Sequence, residues 1–237
     1  MRRSTEKILL IAGGWCIIKA VKEVRAMRKK AVIFGDSYST FKGFVPEGYS
    51  VYYSEIPRPE TDVTKLSETW WHQVASAMDL DVVLNDSWSG ATIGYTSYNG
   101  VDCSQTSSFI CRLRRLIDQG YFEGQAVDTV FIFGGTNDSW SDAPLGCLTE
   151  GIDEQALYSV LPAIGYFLTL LRETLPQAMI YCIINDELKP EIADTMKAVC
   201  LQHGIIAVTL EGIDKRCGHP TVKGMKAIAD TVLQTMK

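Results

Sequence analysis

The chain has 237 residues, of which 46% are hydrophobic and 22% are charged. This composition is that of an ordinary globular protein, and it excludes a disordered chain, a collagen-like repeat and a coiled-coil rod. The 23 Lys and Arg residues against 28 Asp and Glu residues give a net charge of −5, so a basic surface that binds nucleic acid is not expected. A single domain is favoured, because α/β domains often reach about 250 residues.

The seven cysteines and three histidines do not form a metal-binding pattern. The sequence has no Cys-x-x-Cys pair, so it predicts no zinc site. Cys182 and Cys200 lie within apolar runs, where a reduced cysteine acts as a small buried hydrophobe. An odd number of cysteines also fits a reducing compartment better than a disulfide framework.

Residues 1–29 are predicted to be an extension that precedes the folded domain. Arg2 and Arg3 followed by the apolar run 8–18 resemble the start of a signal peptide. The run is shorter than the roughly 20 residues that span a bilayer, and no small-x-small cleavage site follows it closely. We therefore expect a cytoplasmic protein, with a secreted form, or one associated with a membrane through residues 8–18, as the alternative.

From residue 30 onward, short apolar runs alternate with longer amphipathic ones. The short runs are rich in Val, Ile and Phe and predict strands buried on both faces: Ala31–Phe34, Asp81–Leu84, Thr129–Phe133, Ala178–Ile184 and Ile205–Val208. The longer runs predict helices: Glu68–Met78, Ser107–Gln119, Asp153–Thr174, Glu187–His203 and Thr221–Met236. This alternation predicts one domain over residues 30–237, a flavodoxin-like three-layer α/β/α sandwich with a five-stranded parallel sheet. Residues 40–65 form a long loop, and such loops are usually functional or disordered.

Polar segments follow three of the predicted strands and lie near the chain end. Gly35-Asp36-Ser37 follows the first strand, Ser89-Gly90 follows the second, Asn137 follows the third, and His219 comes in the last loop. Ligands bind at the carboxyl ends of the strands in an open parallel sheet. A serine hydroxyl, an imidazole base and preplaced donors for an oxyanion are what acyl transfer requires.

These four segments, in this order, resemble the four blocks of the SGNH (GDSL) hydrolase family. The resemblance runs from Gly35 to His219. It implies that Ser37 is the nucleophile and His219 its base, with the oxyanion stabilised by the amides of Ser37 and Gly90 and the side chain of Asn137. It also implies a serine esterase that works through an acyl-enzyme, without metal or cofactor.

The residue that orients His219 departs from the family pattern. The family usually has Asp three residues before the histidine, where this chain has Arg216, which cannot accept the imidazole proton. Either Asp214, the nearest upstream carboxylate, orients the ring, or a backbone carbonyl does so in a Ser-His dyad. Loss of this acid can cost about 10⁴ in rate. The alternative function is therefore a weak or inactive SGNH-fold protein that binds a sugar or acyl ligand.

Residues beside the motifs are predicted to contact the substrate. They are Asp36, Tyr38, Trp88 and Trp140. Flat aromatic rings suit a sugar face or an acyl chain, and the resemblance is to small bacterial-type members linked to carbohydrate esters. The expected substrate is a small-molecule or carbohydrate ester, with deacetylation of an acylated sugar as the reaction, and no membrane partner is required.

Two other functions explain fewer of these residues. The Gly-x-Ser-x-Gly signature of other serine esterases fails at Ser39, where its last glycine is missing. An anion site of the flavodoxin type, built on Ser39 and Thr40 and the later glycines, leaves Asn137 and His219 without roles.

Overall fold

The five predicted strands form one parallel sheet in the computed structural model, which describes residues 28–148 and 153–237. The strands are β1 (Lys29–Gly35), β2 (Leu80–Ser87), β3 (Thr129–Phe133), β4 (Met179–Ile184) and β5 (Ile206–Thr209). Their order in the sheet is β2-β1-β3-β4-β5. The apolar run 8–18 lies outside the described residues, and β1 begins at Lys29, one residue before the predicted start of the domain.

Helices cover both faces of the sheet. They are α1 (Trp70–Ala77), α2 (Phe109–Asp118), α3 (Thr136–Trp140), α4 (Val160–Thr174), α5 (Pro190–Gln202) and α6 (Val222–Thr235). Side chains of α1 and α6 pack in one hydrophobic core, and those of α2, α4 and α5 pack in the other. The three-layer sandwich predicted from the sequence is therefore confirmed.

Strand β1 contributes to both cores because successive side chains of a strand point to opposite faces. Val32 and Phe34 lie in the core with α4, whereas Ala31 and Ile33 lie in the core with α6. All four side chains are fully buried. This two-sided burial explains why the central strand is a continuous apolar run in the sequence.

One predicted helix begins later than expected. The run Asp153–Thr174 is divided at Ser159, which has extended backbone angles between a 3₁₀ turn at Glu154–Tyr158 and α4. Pro162 lies in the first turn of α4. Proline has no N–H and its ring clashes with the carbonyl four residues earlier, so an α-helix cannot continue backward through this position.

The sheet order brings three loops together at its carboxyl edge. Gly35, the last residue of β1, pairs with Ser87 on β2 and with Phe133 on β3. In the sheet, β2 lies on one flank of β1 and β3 lies on the other, so the strand order reverses at β1. The carboxyl end of β1 is therefore the topological switch point, where open α/β sheets bind ligands.

The long loop after β1 is held against this edge by hydrogen bonds. The amide of Lys42 donates to the carbonyl of Tyr53 at 3.0 Å, and the amide of Ser89 donates to the carbonyl of Ser50 at 2.9 Å. The Tyr53 hydroxyl donates to the carbonyl of Pro220 at 3.0 Å. The loop therefore bridges the β2 end of the edge and a hairpin near the chain end. Within the described segments, no helix is long and apolar enough to cross a membrane.

A buried arginine on α2 joins the ends of β1 and β2. The Arg112 side chain is inaccessible to solvent and forms a 2.6 Å ion pair with the equally buried Asp86 carboxylate. Its guanidinium also donates to the carbonyl oxygens of Gly35 at 3.3 Å, Ser107 at 2.9 Å and Asp86. Each partner lies at or near the carboxyl edge, so this contact sets the spacing of the two strand ends.

Replacing Arg112 with Met is expected to lower the free energy of unfolding by about 3–5 kcal/mol, because Asp86 would remain buried without a counter-charge. The double variant Arg112→Met/Asp86→Asn should lose less. Urea unfolding followed by circular dichroism measures both. Lys226→Met is the control, since it breaks an exposed ion pair with Asp230 of a kind worth about 0.5 kcal/mol. An equal loss in the control and the Arg112 variant would contradict the prediction.

Candidate active site

The side chains of Ser37 and His219 meet at the carboxyl edge of the sheet. Ser37 lies in a 3₁₀ turn immediately after β1, and His219 lies in the short strand β7 (His219–Pro220). The Ser37 Oγ atom is 3.0 Å from the His219 Nε2 atom. The predicted nucleophile and the predicted base, 182 residues apart in the chain, are thus within hydrogen-bond distance.

The turn that carries Ser37 is built around a glycine and a buried acid. A Cβ atom on Gly35 would lie 2.3 Å from the Ser87 hydroxyl oxygen and 2.6 Å from the Ser39 Cβ atom, so no side chain fits there. The Asp36 carboxylate accepts a 3.0 Å hydrogen bond from the amide of Tyr38, which caps the turn. These contacts fix the backbone of the turn that carries Ser37.

His219 is presented by a two-residue hairpin. Strand β6 (Lys215–Arg216) pairs antiparallel with β7, and the turn residues Cys217 and Gly218 have φ angles of 48° and 75°. Two positive φ angles match the hairpin turn whose twist suits flanking strands. The Tyr38 hydroxyl donates to the carbonyl of Gly218 at 2.5 Å, so the nucleophile turn also supports this hairpin.

The second ring nitrogen of His219 contacts a backbone carbonyl. Its Nδ1 atom lies 3.0 Å from the carbonyl oxygen of Cys217. Since a carbonyl only accepts, Nδ1 carries the proton, which leaves the Nε2 lone pair free to accept from the Ser37 hydroxyl. Of the two alternatives left open by the sequence, the contact found here is that of a Ser-His dyad.

The prediction that Asp214 orients the ring is wrong for this structure. The hairpin register pairs Arg216 with His219, and the amide of Thr221 donates to the carbonyl of Asp214 at 3.0 Å. Asp214 therefore lies opposite Thr221, whose hydroxyl donates to its carboxylate. The register, which short sequence motifs do not reveal, keeps this exposed carboxylate away from the imidazole.

The imidazole is enclosed by aromatic rings. The Tyr52 ring is stacked on it, with ring centroids 3.5 Å apart and planes inclined by 5°. The rings of Tyr38 and Trp140 approach it edge-on, with centroids at 5.4 and 6.3 Å. Burial lowers the pKa of His219 below its ordinary value, because desolvation disfavours the imidazolium. The neutral ring, which is the form that acts as a base, is thereby favoured.

Three hydrogen-bond donors lie along the same edge. The amides of Ser37 and Gly90 have no acceptor among the residues that the structure describes. Gly90 has a φ of 86°, a conformation that suits glycine. The Asn137 side chain donates from Nδ2 to the carbonyl of Ala91 at 2.9 Å and accepts from the Tyr98 hydroxyl at 2.8 Å. The second Nδ2 hydrogen is left for another acceptor. This arrangement is compatible with the predicted oxyanion site.

The four predicted substrate contacts fall into two pairs. Trp140 is 37% exposed beside His219, and Trp88 is half-buried against Tyr49, with ring centroids 4.3 Å apart. Contact of these two rings with a substrate stays a prediction. Asp36 and Tyr38 are fully buried, so the prediction that they contact the substrate is wrong. The turn directs both side chains into the protein, where they support Ser37 and the hairpin.

Two residues of the site were not predicted as site residues. Tyr52 lies in the long loop after β1, and its stacking on His219 cannot be inferred from that position in the sequence. Tyr98 had no sequence signal, since it lies in a separate 3₁₀ turn (Tyr98–Gly100) between β2 and α2. Across the two described segments, no group of three or more His, Cys, Asp or Glu side chains could hold a metal ion.

The turn below Ser37 holds an acid with an unusual pKa. One carboxylate oxygen of Asp36 has no hydrogen-bond partner in the described part of the chain. Burial raises the pKa of Asp36 to about 7, because the charged form is poorly solvated. Burial likewise raises the pKa of Asp138 to about 6, although its carboxylate accepts from the amides of Ile93 and Gly94.

Residues 29–236 match the family model described as GDSL-like Lipase/Acylhydrolase. The chain belongs to this family. The GDSL-like structure from Bacteroides ovatus is 38% identical, with a TM-score of 0.81 over 89% of this chain and 98% of that chain. A GDSL-like lipase from Bacteroides uniformis is 39% identical, with a TM-score of 0.81 over 90% and 97%.

More distant structures share the fold. An active-site mutant of a family two carbohydrate esterase from Clostridium thermocellum is 18% identical, with a TM-score of 0.59 over 88% of this chain and 63% of that chain. No curated protein matches the chain. The family predicted from the four sequence segments is therefore confirmed, and this GDSL-like protein is a hydrolase of the SGNH type.

The raised pKa of Asp36 predicts a pH-dependent stability. An acid whose pKa is higher in the folded state binds more protons when folded, so its contribution is most favourable below about pH 4 and is lost as the pH rises through about 7. From pH 5 to pH 8, the free energy of unfolding of Asp36→Asn should fall less than that of the wild type, by on the order of 1–4 kcal/mol.

Urea unfolding at intervals of one pH unit measures this difference. Asp138 is present in both proteins, and its charge adds to the raised pKa of Asp36 in the wild type. The variant Asp81→Asn, which removes a carboxylate from an exposed position, controls for the loss of one charge. Parallel profiles for the wild type and Asp36→Asn would contradict the prediction.

Proposed function

We propose that this GDSL-like hydrolase is a serine esterase that forms an acyl-enzyme on Ser37, with acylated carbohydrates as its substrates. The observation that carries the proposal is the 3.0 Å contact between the Ser37 Oγ and His219 Nε2 atoms. It occurs beside backbone amides that have no acceptor among the described residues. Residues that can serve as nucleophile, base and oxyanion donors thus lie together at the topological switch point of the sheet, which supports this proposal.

The first half of the reaction transfers the acyl group to the protein. As the Ser37 oxygen bonds to the ester carbon, its proton passes to Nε2 of His219. The carbonyl oxygen becomes an anion that accepts from the amides of Ser37 and Gly90 and from Asn137. The carbon–oxygen bond to the alcohol then breaks, and the imidazolium gives its proton to the departing alkoxide.

The second half repeats these steps with water. Water gives a proton to His219 and bonds to the acyl carbon, and the same donors stabilise the second tetrahedral anion. Collapse releases the carboxylic acid and returns the proton to Ser37. Throughout, the Cys217 carbonyl keeps the proton on Nδ1, so Nε2 faces the reacting groups.

Aromatic rings around the site support a sugar ester as the substrate. Trp140 exposes its ring next to the base, and Trp88 lies two residues before Gly90. Flat rings of this kind stack on the apolar faces of sugars. The shared fold with a carbohydrate esterase is consistent with this substrate class, and deacetylation is the reaction we propose.

Labelling with a fluorophosphonate tests the nucleophile directly. Intact mass measurement should show one adduct on the wild type and none on Ser37→Ala. The variant Ser104→Ala, which changes a serine of another loop, should be labelled like the wild type. Absence of labelling on the wild type, under conditions that label a known serine esterase, would refute the proposal.

The same proteins distinguish the substrate classes. We expect release of acetate from acetylated xylan and from p-nitrophenyl acetate by the wild type, and none by Ser37→Ala. Cleavage of the aryl ester without release from any acetylated sugar would refute the carbohydrate part. Binding of the sugar without cleavage of either ester would instead support the inactive, ligand-binding alternative.

The position of Asp214 predicts that it is dispensable for the chemistry. Because its carboxylate accepts from Thr221 rather than from His219, Asp214→Asn should lower kcat by less than about tenfold, whereas removal of an orienting acid costs about 10⁴. Arg216→Asp, which places a carboxylate opposite His219 in the hairpin, should raise kcat. A loss of 100-fold or more in a folded Asp214→Asn protein would contradict the dyad.

A further inference from the structure

Three side chains are layered at the candidate base. The phenol ring of Tyr52 lies flat on the His219 imidazole, with centroids 3.5 Å apart. The guanidinium carbon of Arg58 lies 4.4 Å from the centroid of the same phenol ring, and the guanidinium also donates to the Tyr52 carbonyl. Since the imidazole covers one face of the phenol, the guanidinium lies over the other.

We propose that Tyr52 and Arg58 are positioning residues of the active site: Tyr52 holds the imidazole of His219 toward Ser37, and Arg58 places its positive charge behind the Tyr52 ring, on the side away from the imidazole. This inference rests on the proposed role of His219 as the base. It assigns to the long loop after β1 a function that a carboxylate serves elsewhere in the family.

The ring of His219 needs support beyond its own hairpin. Its only bond at Nδ1 among the described residues is to the carbonyl of Cys217, which lies two residues away in the same turn. A carbonyl in a hairpin turn restrains the imidazole less than a buried carboxylate held by other elements. The parallel phenol ring of Tyr52 adds the missing restraint, because it blocks rotation of the imidazole out of its plane.

The backbone of Tyr52 is itself tied to the nucleophile. The Thr40 hydroxyl donates to the carbonyl of Ser37 at 2.9 Å and accepts from the amide of Tyr52 at 2.9 Å. One side chain thus links the turn that carries the nucleophile to the ring that supports the base. This connection indicates a role in geometry rather than chance packing of an aromatic loop residue.

The charges around His219 give Arg58 a separate effect. Its positive charge lowers the pKa of His219 in addition to burial, since it disfavours a second cation nearby. The groups that face the imidazole from the nucleophile turn, the long loop, α3 and the hairpin are Ser37, Tyr38, Tyr52, Tyr53, Arg58, Trp140, Arg216 and Cys217. The other charged groups of the hairpin have partners: Lys215 pairs with Asp186 and Glu187, and Asp214 accepts from Thr221.

An NMR titration of the full chain tests the electrostatic half. The Cε1–H signal of His219, assigned by its loss in His219→Asn, reports the pKa. Arg58→Gln should raise this pKa by about 0.5–1 unit, and the acidic limb of kcat/KM should move to higher pH by the same amount. Arg58→Lys should restore the wild-type value, because it keeps the charge.

Lys197→Gln is the matched control for charge. It removes one positive charge from an exposed position on α5, in the helical layer that lies on the other face of the sheet from α6 and its preceding hairpin. No change in the His219 pKa is expected there. An unchanged pKa in Arg58→Gln, or the same shift in Lys197→Gln, would overturn the role of Arg58.

Steady-state kinetics test the positioning half. Tyr52→Leu removes the flat ring and should lower kcat by about 10–100-fold with little change in KM, since misplacement of a base by about 1 Å costs this much. Tyr52→Phe keeps the ring and should retain kcat. A folded Tyr52→Leu protein with wild-type kcat would overturn the role of Tyr52. If Tyr52→Leu does not fold, Tyr52→Met, which also lacks a flat ring, takes its place, and a folded Tyr52→Met protein with wild-type kcat would overturn the role of Tyr52.

The two readouts separate this inference from the proposed function. The titration needs no turnover, so it tests Arg58 even if the wild type cleaves none of the esters. A wild type that is active, combined with unshifted pKa and kcat values in the variants, would refute the inference alone. A wild type that is neither labelled nor active would refute the proposed function and with it the positioning role of Tyr52, whereas the titration would still decide the electrostatic role of Arg58.

Discussion

The buried guanidinium of Arg112 is the contact on which the geometry of the carboxyl edge depends. It reaches from α2 to the end of β2 at Asp86 and to the end of β1 at Gly35. A buried charge is stable only when its hydrogen-bond and ionic partners are present. The contacts of Arg112 with Asp86 and Gly35 therefore fix the distance between the ends of β2 and β1. Ser37 lies two residues beyond Gly35, the last residue of β1, and Gly90 lies three residues beyond Ser87, the last residue of β2. The amides that would receive an oxyanion are therefore spaced before any substrate arrives, which is the condition for electrostatic catalysis.

The imidazole of His219 is brought to this edge by a separate segment of the chain. His219 comes from the far end of the chain on a hairpin of two-residue strands, and contacts from outside the hairpin hold it in place. Tyr38 and Tyr53 donate to its carbonyls at Gly218 and Pro220. In a hairpin this short, register decides every neighbour of the imidazole. The imidazole contacts the Cys217 carbonyl and the face of the Tyr52 ring, and the Arg58 guanidinium lies on the opposite face of that ring. The family pattern would place a carboxylate beside the imidazole instead.

The apolar and amphipathic runs in the sequence predicted the three layers of this fold. They did not predict the contacts between segments that are distant in the chain. Runs such as Thr129–Phe133 are strands because both faces of the sheet are covered, and an apolar run records that burial directly. The burial of Asp36 and Tyr38 depends instead on how one turn is rotated against β3 and the hairpin. The sequence could not decide between Asp214 and a backbone carbonyl as the partner of His219, because strand register is a property of two segments. The burial of Arg112 could not be predicted from the sequence. A charged residue on an amphipathic helix is ordinarily solvated, and the groups that Arg112 contacts belong to other parts of the chain.

The Thr40 hydroxyl has a mechanical consequence. One oxygen atom contacts both the carbonyl of Ser37 and the amide of Tyr52, whose ring stacks on His219. The backbone of the Ser37 turn and the start of the loop that covers the imidazole are therefore fixed by the same side chain. A change at Thr40, which touches neither Ser37 Oγ nor the imidazole, would loosen both contacts at once.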